Sequence, residues 1–265
     1  MRKCMNHEKD RILNYIQKEP EMTLFIYGDI ENFGVDSENV NIYVEEKENQ
    51  AEWDSLLLRY FDFYILYSTK KDYDTEAVYQ VLKDKTVSCL SGKTELISRI
   101  APYFPEKTLE STYMCRCNRI HPCSQTLSQA VIRKLTKSDL PQIMELYLLI
   151  DEFAATYRGR EEKALQEAEL KMDHGSLAYG VFEDNKLVSI AETSADNSIS
   201  AMIVGVATHP DYRQKGYAMA VVSKLCQASF EKDRQFLCLF YDNPTAGKIY
   251  HKIGFEPIGE YAMLR

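Results

Sequence analysis

The chain has 265 residues and a formal net charge of −8, and 45% of its residues are hydrophobic. This length allows two domains with separate cores, whereas the acidic balance argues against binding to nucleic acid or anionic lipid, which needs clustered positive charge. No apolar run approaches the roughly 20 residues that span a bilayer, and the first residues lack a signal-peptide core. We therefore expect a cytoplasmic protein with a small-molecule or peptide partner, no nucleic acid and no membrane.

The seven cysteines are an odd number, and several lie in apolar runs, where a cysteine behaves as a small hydrophobe. We expect reduced thiols. Cys115, Cys117, His121 and Cys123 form a cluster with metal-ligand character, but it lacks the C-x-x-C pairs of common structural zinc sites. Strand-end cysteines beside a linker are the favoured interpretation, and no metal is expected.

The first half is predicted to be an α/β domain with its own core, because helical and strand periodicities alternate along it. Its expected elements are a helix over 7–18, an apolar segment over 22–27, a turn-rich stretch over 28–34, a strand over 40–44, two strand-like runs within 56–67 that meet near Phe61-Asp62, a helix over 77–82, a strand over 86–90, a turn over 91–93 and a helix over 94–100.

Gly92-Lys93-Thr94 matches the end of a phosphate-binding P-loop, but Val87 stands where that motif requires glycine. We interpret it as a glycine turn that leads into a helix. The polar stretch 109–127 is interpreted as a connector, which predicts domains at 1–125 and 126–265.

After the connector the pattern of strands and helices restarts, with helix-capping and turn residues at the expected places. The expected elements are a strand over 130–135, a helix over 140–150 capped by Ser138, a loop or frayed helix over 151–160, a helix over 161–172, strands over 176–182 and 186–194, a strand near 201–206, a helix from Gly216, a strand over 235–241, a helix over 245–253 and a strand over 255–264.

The stretch 201–218 runs from an apolar strand through a basic turn into a helix. The run 201–206 has the pattern of a strand buried on both faces, and apolar residues recur at helical spacing after Gly216. Backbone N–H groups at such a helix N-terminus are free to receive an anion. The sequence therefore predicts a site for a phosphate-bearing cofactor.

Two motifs in this half resemble signatures of the GNAT N-acetyltransferase superfamily. R-Q-K-G-Y-A at 213–218 matches R/Q-x-x-G-x-G/A, and N-P-T-A-G-K-I-Y-H-K-I-G-F at 243–255 matches N-x-x-A-x-x-x-Y-x-x-x-G-F. The resemblance covers roughly 130–265. It implies an α/β (α+β) protein of two domains, whose C-terminal GNAT fold has a mixed, mostly antiparallel central sheet flanked by helices. The first half lacks the R/Q-x-x-G-x-G/A motif, so we interpret it as a degenerate, non-catalytic GNAT-like domain.

The resemblance implies acetyl-CoA as co-substrate. The N–H groups of 214–218 would cradle its pyrophosphate, and unpaired backbone groups of Val206 and Thr208 would bind its pantetheine arm, with Gly205 suited to a bulge. The N–H of Val206 would also stabilise the oxyanion. The cofactor-binding residues implied are Val206, Ala207, Thr208, Arg213, Gln214, Lys215, Gly216, Tyr217, Ala218, Asn243, Ala246 and Tyr250.

Transfer to an amine also requires a general acid and a general base. Tyr250 matches the tyrosine of the second motif and is the candidate acid, although a packed aromatic would explain it as well. Asn243 has a second explanation too, since it could simply cap the last helix. Glu192 is the candidate base, on the face of its strand opposite Ala191; a solvated carboxylate, with water or His209 as the base, is the alternative.

The acceptor pocket is expected near the loop 153–160. Arg158 and Arg160 could hold an acidic substrate there, or could be solvated surface charges. The predicted function is acetyl-CoA-dependent N-acetylation, in which a primary amine of a small molecule or peptide attacks the thioester directly. The alternative is a catalytically silent acyl-CoA sensor or scaffold. A possible homodimer is left open.

Overall fold

The computed structural model describes residues 1–46, 52–122 and 130–265. The chain divides into two compact units, the first formed by Met1–Met114 with Ile258–Arg265 and the second by Cys115–Pro257. The predicted limits at 125 and 126 lie outside the described residues, as does Cys123. Within the described ranges, no helix is long and apolar enough to cross a bilayer.

The first ten elements alternate short strands and helices. They are β1 Arg2–Lys3, α1 Lys9–Ile16, α2 Leu24–Phe33, β2 Val40–Glu45, β3 Ser55–Tyr60, β4 Phe63–Tyr67, α3 Thr75–Leu82, β5 Cys89–Lys93, α4 Thr94–Ile100 and β6 Leu109–Cys117. In the first unit, β1 to β4 pair antiparallel in chain order and β5 lies parallel to β4.

The remaining elements include the candidate site. They are β7 Val131–Lys134, α5 Leu140–Leu148, α6 Asp151–Tyr157, α7 Glu161–Asp173, β8 Ala178–Glu183, β9 Lys186–Ser194, β10 Ser200–Thr208, α8 Tyr217–Phe230, β11 Phe236–Tyr241, α9 Pro244–Ile253 and β12 Glu256–Leu264. In the second unit β7 to β10 pair antiparallel in chain order, and β11 lies parallel to β10. The predicted mixed, mostly antiparallel sheet flanked by helices is therefore confirmed.

The order of elements repeats. From β1 to β6 it is β-α-α-β-β-β-α-β-α-β, and the same order returns from β7 to β12 with the short helix α6 as an insertion. The single parallel pair of each series, β4 with β5 and β10 with β11, falls at the same place. The described part of the first half thus has the order of elements of the second.

Three local expectations in the first half are wrong. The stretch predicted as a connector begins with a strand, β6, over Leu109–Cys117. The other two concern predicted turns. The predicted turn-rich stretch 28–34 belongs to α2, because Leu24, Ile26 and Ile30 are fully buried against the core and hold the helix to its end at Gly34. The predicted turn at Gly92 is part of β5, where this residue pairs with Leu66. In both cases tertiary pairing and burial override the turn propensity of the residues.

The helices of the second unit cover both faces of its sheet. One apolar cluster lies between the sheet and α8 and α9, and includes Val221, Leu225 and Ile253. The other lies under α5 and includes Ile143 and Ile190. Because side chains alternate along a strand, neighbouring residues of β9 and β10 pack into different clusters.

An ion pair between an exposed arginine and a buried carboxylate fixes the start of α5. The Asp139 carboxylate accepts two hydrogen bonds from Arg133 at 2.6 and 2.8 Å and another from the Thr136 N–H at 2.8 Å. Asp139 is 4% exposed. The bonds from Arg133 hold the pKa of Asp139 at about 2, below the ordinary value of about 3.9.

We expect Asp139→Asn to lower the free energy of unfolding by about 2 kcal/mol at neutral pH, the value of a hydrogen bond to a charged group. Because the folded pKa is depressed, this contribution is complete above about pH 4 and is lost as the pH falls toward 2. Urea midpoints of both proteins measured across this range should converge at low pH. Asp173→Asn, which removes an exposed partner of Lys137, is the control and should change stability by under about 1 kcal/mol. A constant difference at every pH would contradict the prediction.

Candidate functional site

Strand β10 leaves both of its ladders near Gly205. Pairing with β11 runs only to Ile203, and pairing with β9 skips Gly205 and Val206 between Val204 and Ala207. Gly205 has φ 62°, in the left-handed region that favours glycine. The extra residue forms a bulge. Within these described strands, the backbone of Val206 belongs to neither ladder.

The turn after β10 presents unpaired N–H groups. Gln214 and Gly216 have φ 64° and 86°, and α8 begins at Tyr217 with no side-chain cap. Within the described ranges, the backbone N–H groups of 214–218 donate to no acceptor. The arrangement is that of a helix N-terminus able to receive an anion.

The side chains of this turn are engaged with the protein. Arg213 Nε donates to the carbonyl oxygen of Thr208 at 3.2 Å, so that expected acceptor already has a donor. The Tyr217 hydroxyl donates to Glu183 at 2.8 Å, and Lys215 lies 3.5 Å from the same carboxylate. The turn is therefore tied to β8 and β10 through side chains, which leaves its backbone for a ligand.

Glu192 lies beside the bulge. Its carboxylate accepts a hydrogen bond from the Tyr147 hydroxyl, which also lies 3.1 Å from the carbonyl oxygen of Gly205. A Cβ at position 205 would collide with that hydroxyl and lie 3.1 Å from Glu192 Oε1. As the strand alternation predicts, Ala191 is in the cluster under α8, whereas Glu192 faces α5.

Burial sets the protonation behaviour of this pair. Loss of water raises the pKa of Glu192, and the Tyr147 hydrogen bond and the charge of Lys171 oppose that rise. Burial beside Glu192 raises the pKa of Tyr147 well above its ordinary value. Tyr147 thus remains a hydrogen-bond donor at neutral pH, while Glu192 is a stronger base than an exposed glutamate.

A cavity of about 230 Å³ opens onto Glu192 from between α5, α6 and α7. Tyr147 and Tyr157 stack with ring centroids 5.2 Å apart at its inner end. Of the two arginines considered for substrate binding, Arg160 lines the cavity and Arg158 is not among its lining residues. Arg160 is paired with Glu167 at 2.9 Å.

Tyr250 lies on the other face of the sheet. It is 8% exposed, and Val206 packs against the same apolar cluster. Burial raises the pKa of Tyr250 to about 12, and its hydroxyl has no hydrogen-bond partner within the described ranges. Asn243 is exposed and caps α9 by accepting from the N–H of Thr245 at 2.9 Å, and Ala246 packs against the cluster.

The remaining candidates have structural roles. His209 is buried and accepts from the N–H of Asp211 at 3.2 Å, which shapes the turn after β10. Cys115 and Cys117 lie in β6, and burial raises the pKa of each thiol to about 11. Among the described residues, no group of three or more His, Cys, Asp or Glu side chains is placed to hold a metal ion.

A larger depression of about 450 Å³ lies in the first unit, beside the β3–β4 hairpin. It is broad and open to solvent, and Arg59, Asp62 and Lys85 line it. The smaller cavity at Glu192 is the better candidate because a half-buried carboxylate and an unpaired strand edge meet there.

Comparisons with known proteins match the region that contains this candidate site. The model of the acetyltransferase (GNAT) family matches residues 141–255. Residues 141–255 are a GNAT domain. A curated relative, the chloroplastic GCN5-related N-acetyltransferase 2 of Arabidopsis thaliana, is 31% identical over 74 residues, which is 28% of this chain and 28% of that protein.

The fold similarity extends beyond the GNAT domain. A protein from Drosophila matches with a TM-score of 0.69 at 11% identity, over 100% of this chain and 98% of its own. A GCN5-related N-acetyltransferase-like protein from Streptococcus suis matches with a TM-score of 0.60 at 16% identity, over 99% of each chain. These similarities show the fold alone. Both matches cover the N-terminal unit, which has the order of elements of the GNAT domain.

The motifs of the GNAT domain identified the β10 edge and α9, but not Tyr147. This residue is 45 positions from Glu192 in sequence. One signal was available, since Tyr147 is a tyrosine on the otherwise apolar buried face of α5 and a buried tyrosine hydroxyl usually needs a partner.

We expect Gly205→Ala to destabilise the GNAT domain by about 1–3 kcal/mol more than Gly175→Ala. Both positions have positive φ, so both variants pay the same backbone cost of about 1–2 kcal/mol. Only at Gly205 would the new methyl group collide with Tyr147; at Gly175 nothing lies within 4 Å. Urea unfolding of the two variants measures the difference, and equal losses would show that the bulge is not tightly packed against Tyr147.

Proposed function

We propose that the GNAT domain is an N-acetyltransferase that transfers the acetyl group of acetyl-CoA to a primary amine. The observation that carries the proposal is the unpaired backbone of one continuous stretch, at Val206 in β10 and at the N–H groups of 214–218. Free backbone groups at a strand edge and at a helix N-terminus suit the pantetheine arm and the pyrophosphate respectively.

The residues of the stretch fit this ligand. The left-handed Gly216 has no Cβ and carries no side-chain cap, so a phosphate group could approach the backbone closely. The N–H and C=O of Val206 would form hydrogen bonds with the amide groups of the pantetheine arm. Ala207 would contact the arm as well, and Thr208 would contribute its N–H and the second lone pair of its carbonyl oxygen. When bound, acetyl-CoA supplies an activated acyl carbon and a thiolate leaving group.

Val206 also has a role in the reaction. Its N–H points from a fixed bulge, so it can stabilise the negative charge that develops on the acyl oxygen without reorganising. One preorganised donor of this type contributes about 3 kcal/mol in other enzymes. We assign Val206 as the oxyanion donor.

Glu192 is assigned as the general base. It lies beside the bulge, its pKa is raised by burial, and it opens onto the cavity through which an amine could reach β10. It would take the proton that the amine nitrogen releases as the C–N bond forms, directly or through one water molecule. Tyr147 acts as a positioning residue, because its hydroxyl holds the carboxylate next to Gly205.

Tyr250 is assigned as the general acid. With a pKa of about 12 it keeps its proton at neutral pH, and it shares the cluster of Val206 on the sheet face opposite Glu192. Its hydroxyl would donate a hydrogen bond, and finally the proton, to the departing sulfur as the C–S bond breaks. In this mechanism Glu192 accepts a proton on one face of the sheet, and Tyr250 donates a proton from the other face.

The N-terminal unit is proposed to be non-catalytic. At the helix that corresponds to α8 in the repeated order, α3, the Asp74 carboxylate accepts from the N–H of Ala77 at 2.9 Å. An acidic cap both occupies that helix N-terminus and repels an anion. In addition, β4 stays paired with both β3 and β5 from Phe63 to Leu66, so no strand edge is free for pantetheine.

Acetyl-CoA should raise the melting temperature of the full chain. Binding to the folded state alone stabilises it by about 2.7 kcal/mol at a hundred times Kd. Gly216→Glu should abolish the shift, because it places a bulky anion in the phosphate turn. Gly175→Glu is the matched control, since it adds the same residue at another positive φ with open space around it, and the shift should persist.

The outcomes separate the alternatives. No shift at saturating acetyl-CoA would refute both an acetyltransferase and an acyl-CoA sensor. A shift without thiol release across a broad amine panel would favour the sensor.

Tyr250→Phe should lower kcat about a hundredfold or more, the usual contribution of a general acid, while the melting shift with acetyl-CoA stays close to that of the parent chain. Tyr179→Phe, which alters a tyrosine packed against the same cluster, should leave kcat near its original value. Initial rates of thiol release measure both effects. Unchanged turnover in Tyr250→Phe would remove this residue as the acid.

A further inference from the structure

We propose, building on the proposed function, that the cavity between α5, α6 and α7 selects an acceptor carrying both a primary amine and a carboxylate on an apolar carbon frame. The amine would face Glu192, and the carboxylate would pair with Lys171. Both residues line the cavity.

The position of Glu192 orients the amine. The carboxylate lies 3.1 Å from where a Cβ on Gly205 would be, one residue before the N–H assigned to the oxyanion. An amine at this end of the cavity is therefore next to the acyl carbon, and its other end must extend toward α7.

Lys171 is an unusual cation for its helix. Helix α7 carries the acidic residues Glu161, Glu162, Glu167, Glu169 and Asp173, and other nearby cations pair with them. Lys137 lies 3.1 Å from Glu169 and 2.8 Å from Asp173, and Lys163 lies 4.0 Å from Glu167. Among the described residues the ammonium group of Lys171 has neither an ion pair nor a hydrogen bond, so it is available to a ligand.

The other charges of the cavity cancel. Arg160 bonds to both carboxylate oxygens of Glu167, at 2.9 and 3.0 Å. Among the described residues, this leaves Glu192 and Lys171 as the cavity charges that form no ion pair, although the charge of Lys171 acts on Glu192 across the cavity. A ligand with an amine alone would satisfy one of them, and an amino-carboxylate would satisfy both.

The walls of the cavity determine the chemistry of the rest of the acceptor. Apart from its charged groups the cavity is lined largely by apolar side chains from α5 and α7, including Ile143, Met144, Leu165 and Met172. Methionine adapts to apolar ligands of different shape. A hydrocarbon frame suits these walls, whereas a sugar or a polyamine would place polar groups against them without partners.

The sequence alone suggested that Arg158 and Arg160 hold an acidic group. The structure moves this role to Lys171, because Arg160 is neutralised by Glu167 and Arg158 is not among the lining residues. We still expect the substrate to carry an anionic group, but we assign its partner to Lys171, near the end of α7.

The test compares matched amines in a thiol-release assay with acetyl-CoA. Leucine is paired with isopentylamine, and ε-aminohexanoate with hexylamine, so that each pair differs by the carboxylate and the two pairs place it beside the amine or at the far end. In at least one pair kcat/KM should be about tenfold or more higher for the amino acid, the value of one charge-assisted hydrogen bond. Lys171→Met, which keeps the length of the side chain, should remove that preference through KM, and Lys171→Arg should restore part of it.

Lys163→Met is the control on the same helix, because this lysine is outside the cavity lining, and it should leave the preference unchanged. If amines and amino acids react equally well and Lys171→Met has no effect, the inference fails while the acetyltransferase stands. If no amine of either class releases thiol from the unaltered chain, the proposed function itself fails.

Discussion

The structure of the second unit depends on one interruption of backbone pairing. A strand in the middle of a sheet normally has every N–H and C=O group bonded to a neighbour, and β10 departs from this at Gly205 and Val206. The departure is possible because Gly205 accepts a left-handed conformation and because Tyr147 donates toward its carbonyl oxygen. The backbone groups that are left unpaired there can form hydrogen bonds with a ligand.

The sheet also separates the charges that the proposed reaction moves. Glu192 and the cavity lie on the face covered by α5, whereas Tyr250 lies with α8 and α9 on the other face. The bulge contacts both faces, because Gly205 lies against Tyr147 on the α5 face and Val206 packs against the cluster on the α8 face. Because the two groups do not touch, the pKa of each responds to its own surroundings, and burial raises both.

Sequence reasoning succeeded where the determining interactions are local. The turn before α8 and the cap on α9 depend on Gly216 and Asn243 with their immediate neighbours, and both elements begin where their patterns predict. It failed where distant residues decide the structure. Helix α2 is held by buried contacts despite its turn-forming residues. The Tyr147–Glu192 bond and the unpaired state of Lys171 likewise follow from tertiary neighbours that no local pattern encodes.

The grouping of Ile258–Arg265 with the first unit affects the order in which the two units can fold during synthesis. These residues pair with β5 from Leu90 to Lys93, and Ala262 and Leu264 are buried in the core of that unit. During synthesis, residues 1–114 therefore leave the ribosome with one side of β5 unpaired and part of their core absent. An unpaired strand edge is an aggregation hazard. The first unit is therefore completed only after β12 has been made.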